Sequence, residues 1–355
     1  MNRNLIDKLY KNTTLSGEEY TELIKNHAPE DAEYLFSLSR SVRQKHYGKD
    51  VFVRGLIEFT NYCKNDCYYC GIRKSNKNIS RYRLSEEEIL SCCDNGYALG
   101  FRTFVLQGGE DEYFDDDKIC SVVRLIKEKY PDCAVTLSIG EKSCESYKAF
   151  FDAGADRYLL RHETATGQHY KRLHPPSMSF DNRLRCLCDL KDTGFQTGCG
   201  FMVGSPFQTA ENLAEDMLFI KRLQPHMVGI GPFIAQHDTP FSQFASGTAE
   251  LTLFMLGLIR LTLPTVLLPS TTALGTIHPR GRELGILSGA NVIMPNLSPV
   301  DARKKYTLYD NKLFTDCEAA EGLEKLKAEM KSIGYEVVVD RGDCATVRGT
   351  GQNNK

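Results

Sequence analysis

Three cysteines lie within eight residues in the sequence Cys63-Lys-Asn-Asp-Cys67-Tyr-Tyr-Cys70. This C-x3-C-x2-C spacing allows three thiolates to bind three corners of one [4Fe–4S] cluster. The fourth iron would then lack a protein ligand and could bind a small molecule. One alternative is zinc, whose fourth ligand would come from a distant part of the chain because no His lies between His46 and His162. The other alternative is a set of unconnected thiols.

The cysteines follow the first of eight short apolar runs that alternate with amphipathic stretches. Continuous apolar strands separated by helices are typical of a parallel sheet covered on both faces. Eight such units predict an α/β fold, a closed (β/α)₈ barrel, with a doubly wound open sheet as the alternative. The cysteines then lie at the carboxyl-terminal mouth, where barrel enzymes build their sites. The predicted strands are 51–59, 103–106, 134–139, 157–160, 197–203, 227–230, 265–268 and 290–293.

Segments of different character flank this pattern. Residues 1–50 are predicted to be helical, with a capping box of Ser16 and Glu19. The barrel is expected over residues 51–298. Residues 299–355 are expected to form a C-terminal extension that closes the barrel, with a helix, an edge strand and a disordered tail from about residue 349.

Charge and apolar patterning limit the classes of partner. The chain has 44 Lys and Arg against 46 Asp and Glu, a net charge of -2, which excludes a general nucleic-acid binder. The N-terminus has no long apolar stretch typical of a signal peptide. The longest apolar run, residues 251–269, is interrupted by Arg260 and Pro264, so it predicts a buried helix and a strand rather than a membrane span. We therefore expect a cytoplasmic protein with reduced thiols, without membrane or nucleic-acid partners.

The cysteine motif, with Tyr69 directly before its last cysteine, resembles the signature of the radical S-adenosylmethionine (SAM) family. The resemblance implies a full or partial (β/α) barrel enzyme with one [4Fe–4S] cluster on Cys63, Cys67 and Cys70. It also implies that SAM chelates the unligated iron through its amino and carboxylate groups. One electron would then cleave SAM to methionine and a 5′-deoxyadenosyl radical.

The same resemblance assigns SAM-binding roles at other strand ends. The turn Gln107-Gly108-Gly109-Glu110 would bind the methionine amino group, although a plain turn is the alternative. Arg161 would bind the SAM carboxylate and Glu163 a ribose hydroxyl, unless the two form an ordinary surface ion pair. Further candidates are Arg183 for the carboxylate, Tyr69 and Met202 beside the adenine or cluster, Thr136 and Met227, and Tyr306 and Tyr309 near the cavity entrance.

Longer stretches resemble the HydE family, radical SAM maturases of [FeFe]-hydrogenase. Matching stretches are found from the first predicted strand to the last. They are 54–59, 81–83, 105–111, 155–165, 227–234, 271–276, 289–295 and 306–309. The resemblance implies action on a cysteine-bound Fe(CO)₂(CN) unit. It also implies other hydrogenase maturation proteins and an electron donor, such as ferredoxin or flavodoxin, as partners.

An anionic iron substrate would need hydrogen-bond donors and positive charge inside the barrel. Thr271, Thr272, Gly275 and Thr276 follow the seventh predicted strand and are candidates, with a capped helix start as the alternative. Arg54 could supply charge. A buried Arg54 would need a nearby carboxylate or an anion.

The sequence departs from some HydE proteins, which carry a second cluster on C-terminal cysteines. Here only Cys317 and Cys344 lie in that region, without a C-x2-C pair, so one cluster is predicted. Alternative functions are a methylornithine mutase-like or biotin synthase-like radical SAM enzyme, or a non-catalytic iron–sulfur scaffold. Only Cys199 lies on a predicted strand, which disfavours a second cluster inside the barrel.

Overall fold

The computed structural model describes residues 2–313 and 319–348. Helices and strands alternate through most of the chain after an N-terminal helical segment. In chain order the elements are α1 Arg3–Asn12, α2 Gly17–Asn26, α3 Pro29–Tyr47, β1 Asp50–Val53, β2 Gly55–Thr60, α4 Glu86–Ala98, β3 Thr103–Gly108, α5 Asp116–Lys129, β4 Ala134–Ser138, α6 Cys144–Asp152, β5 Arg157–Leu159, α7 Gly167–Leu173, α8 Phe180–Thr193, β6 Gln196–Cys199, β7 Met202–Val203, α9 Ala210–Leu223, β8 Met227–Val228, β9 Gly231–Pro232, α10 Ala249–Thr262, α11 Thr272–Ile277, α12 Gly281–Leu287, β10 Val292–Ile293, α13 Val300–Lys305, α14 Ala319–Ser332, β11 Glu336–Val338 and α15 Ala345–Arg348.

A closed parallel barrel forms the centre of the protein. Six of its strands pair in the order β2-β3-β4-β5-β6-β8. Residues 265–270 lie beside β8 as the next strand of the barrel, since the Val228 amide donates to the Leu267 carbonyl. They also pair with the segment containing β10, which in turn pairs with β1. The predicted (β/α)₈ barrel is therefore confirmed, and the open-sheet alternative is wrong.

Four of the predicted strands are less regular than expected. The first divides into β1 and β2 at Arg54, and the fifth divides into β6 and β7 near Gly200. The sixth forms only β8, with β9 beyond its predicted end, and residues 265–268 form an isolated bridge only. A Cβ atom on Gly200 would lie 1.9 Å from the Gly229 carbonyl oxygen. The two backbones therefore approach too closely for a side chain at the break. Beyond it, β7 and β9 pair as a separate ribbon at the mouth.

Helices cover the outside of the barrel, and the N-terminal segment is also helical. The predicted capping box is present, because Ser16 accepts from the Glu19 amide and Glu19 accepts from the Ser16 amide. The apolar run beginning at residue 251 forms most of α10, which is buried and packs on α3. Among the described residues, no helix combines the length and apolarity needed to span a membrane. The short helices α7, α12 and α13 were not predicted, since each has only six or seven residues.

The described C-terminal residues pack against the amino-terminal ends of barrel strands. Strand β11 pairs in parallel with β1 at its first residues. The buried Arg157 guanidinium, at the start of β5, donates to Asp343 at 2.5 Å and to the Arg341 carbonyl at 2.8 Å. Cys317 and the tail expected to be disordered from residue 349 lie outside the described residues.

Candidate functional site

A cavity of about 350 Å³ lies at the carboxyl-terminal mouth of the barrel. This volume is within the range of small-molecule and cofactor sites. The three cysteines and all of the predicted cofactor-binding residues except Thr136 and Met227 line it. The predicted cofactor residues that line the cavity are Tyr69, Gln107, Gly108, Gly109, Glu110, Arg161, Glu163, Arg183, Met202, Tyr306 and Tyr309.

The cysteine loop, residues 61–80, brings three free thiols to one side of the cavity. Burial raises the pKa of Cys63, Cys67 and Cys70, and for Cys67 and Cys70 the neighbouring thiols raise it further. Three thiolates here would therefore require a bound cationic group. In the part of the chain that the structure describes, no set of three His, Cys, Asp or Glu side chains is arranged to hold one metal ion. A [4Fe–4S] cluster would bind each of the three thiolates on a separate iron.

Arg81 holds the cysteine loop in shape. Its guanidinium donates to the backbone carbonyls of Ile72, Arg73 and Asn76 at 2.7 to 3.0 Å, and also to that of Asn61. The sequence analysis included Arg81 in the HydE-like stretch 81–83 but predicted no role for it. Its contacts identify it as a residue that positions the loop.

Gly109 allows the end of β3 to pack closely against the cysteine loop. A Cβ atom there would lie 2.2 Å from the Tyr62 carbonyl oxygen and 2.7 Å from the Cys63 Cβ. The next residue, Glu110, donates its backbone amide to the Cys63 sulfur at 3.4 Å. Burial raises the pKa of the Glu110 carboxyl, which accepts from the Glu141 amide. A residue with a side chain at 109 would displace the loop that carries the cysteines.

Arg161 and Glu163 form an ion pair at the cavity wall, with 3.1 Å between Arg161 Nη2 and Glu163 Oε2. Glu163 is buried and adopts a left-handed backbone conformation, with φ of 67°. The pair is therefore not the exposed surface pair considered as the alternative. Arg161 Nε has no hydrogen-bond partner among the described residues. Arg183 supports this segment, because it donates to the Arg161 carbonyl at 2.8 Å and pairs with Glu141 at 2.5 Å.

Tyr69 and Met202 line the cavity and belong to one small apolar cluster. The Tyr69 hydroxyl donates to His174 Nε2 at 3.1 Å, because His174 Nδ1 donates to the Tyr170 carbonyl. The Met202 carbonyl accepts from the Gln208 side chain at 2.8 Å. These bonds hold the Tyr69 ring and the Met202 backbone in place.

A strap, residues 306–313, crosses the mouth and places Tyr306 and Tyr309 on the cavity. Lys312 forms an ion pair with Glu58, a buried carboxylate on β2. Asn296 also donates to Glu58, at 2.7 Å. Neither Glu58 nor Lys312 was predicted as a site residue. The available signal was a carboxylate within the otherwise apolar sequence Gly55–Thr60.

Only some of the predicted substrate residues reach the cavity. Thr271 and Thr272 line it, whereas Gly275 and Thr276 do not. The Thr271 hydroxyl accepts from the Leu274 amide and caps α11, so the helix-start alternative is present as well.

Arg54, Thr136 and Met227 lie within the barrel, away from the residues lining the cavity. Arg54 is buried and contacts the Met227 sulfur at 3.0 Å. Its Nε and Nη2 atoms have no hydrogen-bond partner among the described residues, and neither has the Thr136 hydroxyl. Among the described residues, no carboxylate forms a hydrogen bond with Arg54. The expected role of Arg54 toward an anion stays a prediction.

Known proteins resemble the chain in sequence and in structure. Residues 57–220 match the Radical SAM superfamily. The chain is 48% identical over 281 residues to the [FeFe] hydrogenase maturase subunit HydE of Thermotoga maritima, covering 79% of this chain and 80% of that protein. It is 28% identical over 315 residues to 3-methylornithine synthase of Methanosarcina barkeri, covering 87% of each.

Two solved structures share the fold. The crystal structure of methylornithine synthase (PylB) has a TM-score of 0.82 at 25% identity and covers 94% of this chain and 97% of that chain. The maturase HydG has a TM-score of 0.80 at 20% identity, covering 94% and 75%, and supports the fold alone. The sequence identity over most of both chains decides the family. The chain belongs to the HydE family of radical SAM enzymes.

Proposed function

We propose that the protein is a maturase for the [FeFe]-hydrogenase active site that acts on a cysteine-bound Fe(CO)₂(CN) substrate. The observation that carries this proposal is the convergence of three thiols and the Arg161–Glu163 pair on one cavity. The similarity to a HydE maturase supports the role in hydrogenase maturation.

Cys63, Cys67 and Cys70 would hold a single [4Fe–4S] cluster. When bound with SAM, it supplies the one-electron cleavage of SAM to methionine and a 5′-deoxyadenosyl radical. A single cluster is supported by Cys344, which is buried near the Thr265 carbonyl, at the barrel end opposite the cysteine loop. Because the thiols must be reduced to bind iron, we place the protein in the cytoplasm.

The chain's own residues would orient SAM. The Arg161 guanidinium, with its unpartnered Nε, suits the SAM carboxylate, and Arg183 fixes the Arg161 backbone. Glu163 would accept from a ribose hydroxyl. The turn at Gly108 and Gly109 would face the amino group. Tyr69 and Met202 would border the adenine.

The iron substrate would lie farther along the barrel axis. Thr271 and Thr272 line the cavity, and their hydroxyls can donate to the CO and CN ligands of the iron substrate. Arg54 would contribute positive charge from the barrel interior, with Gly275 and Thr276 supporting the threonine segment. Partners would include other hydrogenase maturation proteins and an electron donor.

The test uses anaerobically reconstituted protein with SAM and dithionite, with and without a synthetic cysteine–Fe(CO)₂(CN) complex. We expect 5′-deoxyadenosine and a new low-spin iron EPR signal that requires both SAM and the complex. SAM cleavage that is indifferent to the complex would overturn the substrate assignment. The amino acids used by methylornithine-forming relatives would then be examined.

A further inference from the structure

The rings of Tyr68, Phe207, Phe241 and Phe244 form an aromatic patch beside the cysteine loop. Neighbouring rings meet edge to face, with centroids between 5.1 and 6.0 Å apart. Phe207 is 39% exposed and Phe244 is 38% exposed. The patch therefore presents two large apolar side chains to solvent at the barrel mouth.

The backbone holds Phe207 in an unfavourable conformation. Its φ is 68°, in the left-handed region that bulky residues rarely adopt. The following Gln208 fixes this turn, because its side chain accepts from the Gly204 amide and donates to the Met202 carbonyl. Such strain persists where the surrounding structure enforces it, and it is concentrated at functional positions.

The segments that carry the aromatic patch are rich in Lys and Arg. The Arg172 guanidinium lies 3.6 Å from the centre of the Phe207 ring. Residues 61–80, 167–179, 204–209 and 233–248, which carry the patch and its neighbours, contain six Lys and Arg against two Asp. The chain as a whole has a net charge of -2, so this region is basic in an acidic molecule. Asp66, one of the two aspartates, pairs with Arg73 at 2.7 Å.

The aromatic patch is coupled to the loop that carries the cysteines. Tyr68 directly follows Cys67, and its amide donates to the Leu173 carbonyl at the end of α7, the helix that carries Arg172. A protein seated on the patch would therefore contact the cysteine loop itself. Electron-transfer encounters use small interfaces, and two half-exposed rings with a charged rim suit one.

We propose that the aromatic patch is the docking surface for an acidic one-electron carrier protein of the flavodoxin class. This inference rests on the proposed cluster. In the docked complex, an anionic flavin hydroquinone loses one electron to become the neutral semiquinone, and that electron takes the cluster from the 2+ to the 1+ state.

The first test is binding of an oxidised flavodoxin to the cluster-reconstituted full chain, measured by calorimetry at two salt concentrations. Arg172→Glu and Phe244→Ala should each raise Kd by about tenfold, and Arg172→Glu should also weaken the salt dependence. Arg124→Glu on α5 and Tyr10→Ala on α1 are controls that change an exposed charge and an exposed ring elsewhere. Equal Kd values for all five proteins, or no binding by wild type, would overturn the proposal.

The second test compares two reductants in 5′-deoxyadenosine formation. With dithionite, the patch variants should match wild type. With reduced flavodoxin, their KM for the carrier should rise by about tenfold. Equal losses with both reductants would show a structural defect and overturn docking. If wild type did not cleave SAM with dithionite, the proposed function would be refuted. The binding test does not require SAM cleavage, so it would still decide whether the carrier docks.

Phe207→Gly separates docking from folding. Glycine adopts the observed φ without strain, so the melting temperature should stay within about 3 °C of wild type. Flavodoxin binding should weaken as in Phe244→Ala. Unchanged binding would contradict the proposal. Sedimentation showing that wild type self-associates through the patch, with the variants monomeric, would assign the patch to a second copy instead.

Discussion

The His162 imidazole and the Asp216 carboxyl group lie 3.3 Å apart in a fully buried layer behind Arg161 and Glu163. The Gly200 amide donates to His162 Nδ1, so Nε2 carries the ring proton and faces Asp216. Burial lowers the pKa of the His162 imidazole to about 3 and raises the pKa of the Asp216 carboxyl group. Asp216 also accepts from the Ala165 amide at 2.5 Å. The pair therefore anchors the segment that presents the predicted SAM-binding residues.

Replacing Asp216 tests this anchor. Asp216→Ala leaves the Ala165 amide without its acceptor and should destabilise the protein by about 1–3 kcal/mol. SAM affinity should fall more than about fivefold, because Arg161 and Glu163 lose their support. Asp216→Asn keeps a side-chain oxygen that can accept from the Ala165 amide, so it should retain most of the stability and most of the SAM affinity. Urea unfolding and equilibrium dialysis with SAM measure the effects, and wild-type affinity in Asp216→Ala would exclude the anchoring role.

The Lys312–Glu58 ion pair connects the strap to β2, and its contribution to stability can be tested. Lys312→Met leaves the buried Glu58 carboxylate without its cation and should cost about 3 kcal/mol. Adding Glu58→Gln should recover part of that loss, because the uncompensated charge is removed. A double-mutant cycle by thermal unfolding gives the coupling energy. Additive effects of the two changes would show that the pair does not hold the strap.

The pH dependence of stability should show that His174 is neutral in the folded protein. Burial, aided by Arg183, lowers the pKa of this imidazole to about 3 in the folded protein, below its unfolded value. The unfolded chain therefore binds a proton that the folded chain does not, and stability falls as pH falls below about 6.5. Between pH 6.5 and 5 the loss from this residue should be about 2 kcal/mol. His174→Gln should reduce the slope in urea unfolding, and an identical slope in both proteins would contradict the buried neutral state.

Gly109→Ala should disrupt cluster binding without a general loss of fold. The added methyl would lie 2.2 Å from the Tyr62 carbonyl and would move Cys63. We expect less than about half of the wild-type iron after reconstitution. Gly322→Ala is the control, because its methyl would meet nothing within 4 Å and alanine favours a helix. Equal iron contents in wild type and Gly109→Ala would show that the contact is not needed.

The sequence predicted the barrel and most of the cavity lining because both depend on local signals. Apolar runs placed the strands, and the cysteine motif together with polar residues at strand ends placed the mouth. The Glu58–Lys312 pair was missed because 254 positions separate its members and no local pattern links them. Asp216 was missed because a carboxylate on a helix is usually exposed. The breaks at Gly200 and the short helices also depend on tertiary packing rather than on periodicity.

The most direct test of the central claim is the EPR spectrum of the dithionite-reduced, reconstituted protein recorded with and without SAM. If Cys63, Cys67 and Cys70 hold a [4Fe–4S] cluster with an open iron, the reduced cluster signal should change its g values when SAM binds. The signal should be absent or strongly diminished in Cys67→Ala. A cluster signal that ignores SAM, or that persists unchanged in Cys67→Ala, would contradict the assignment.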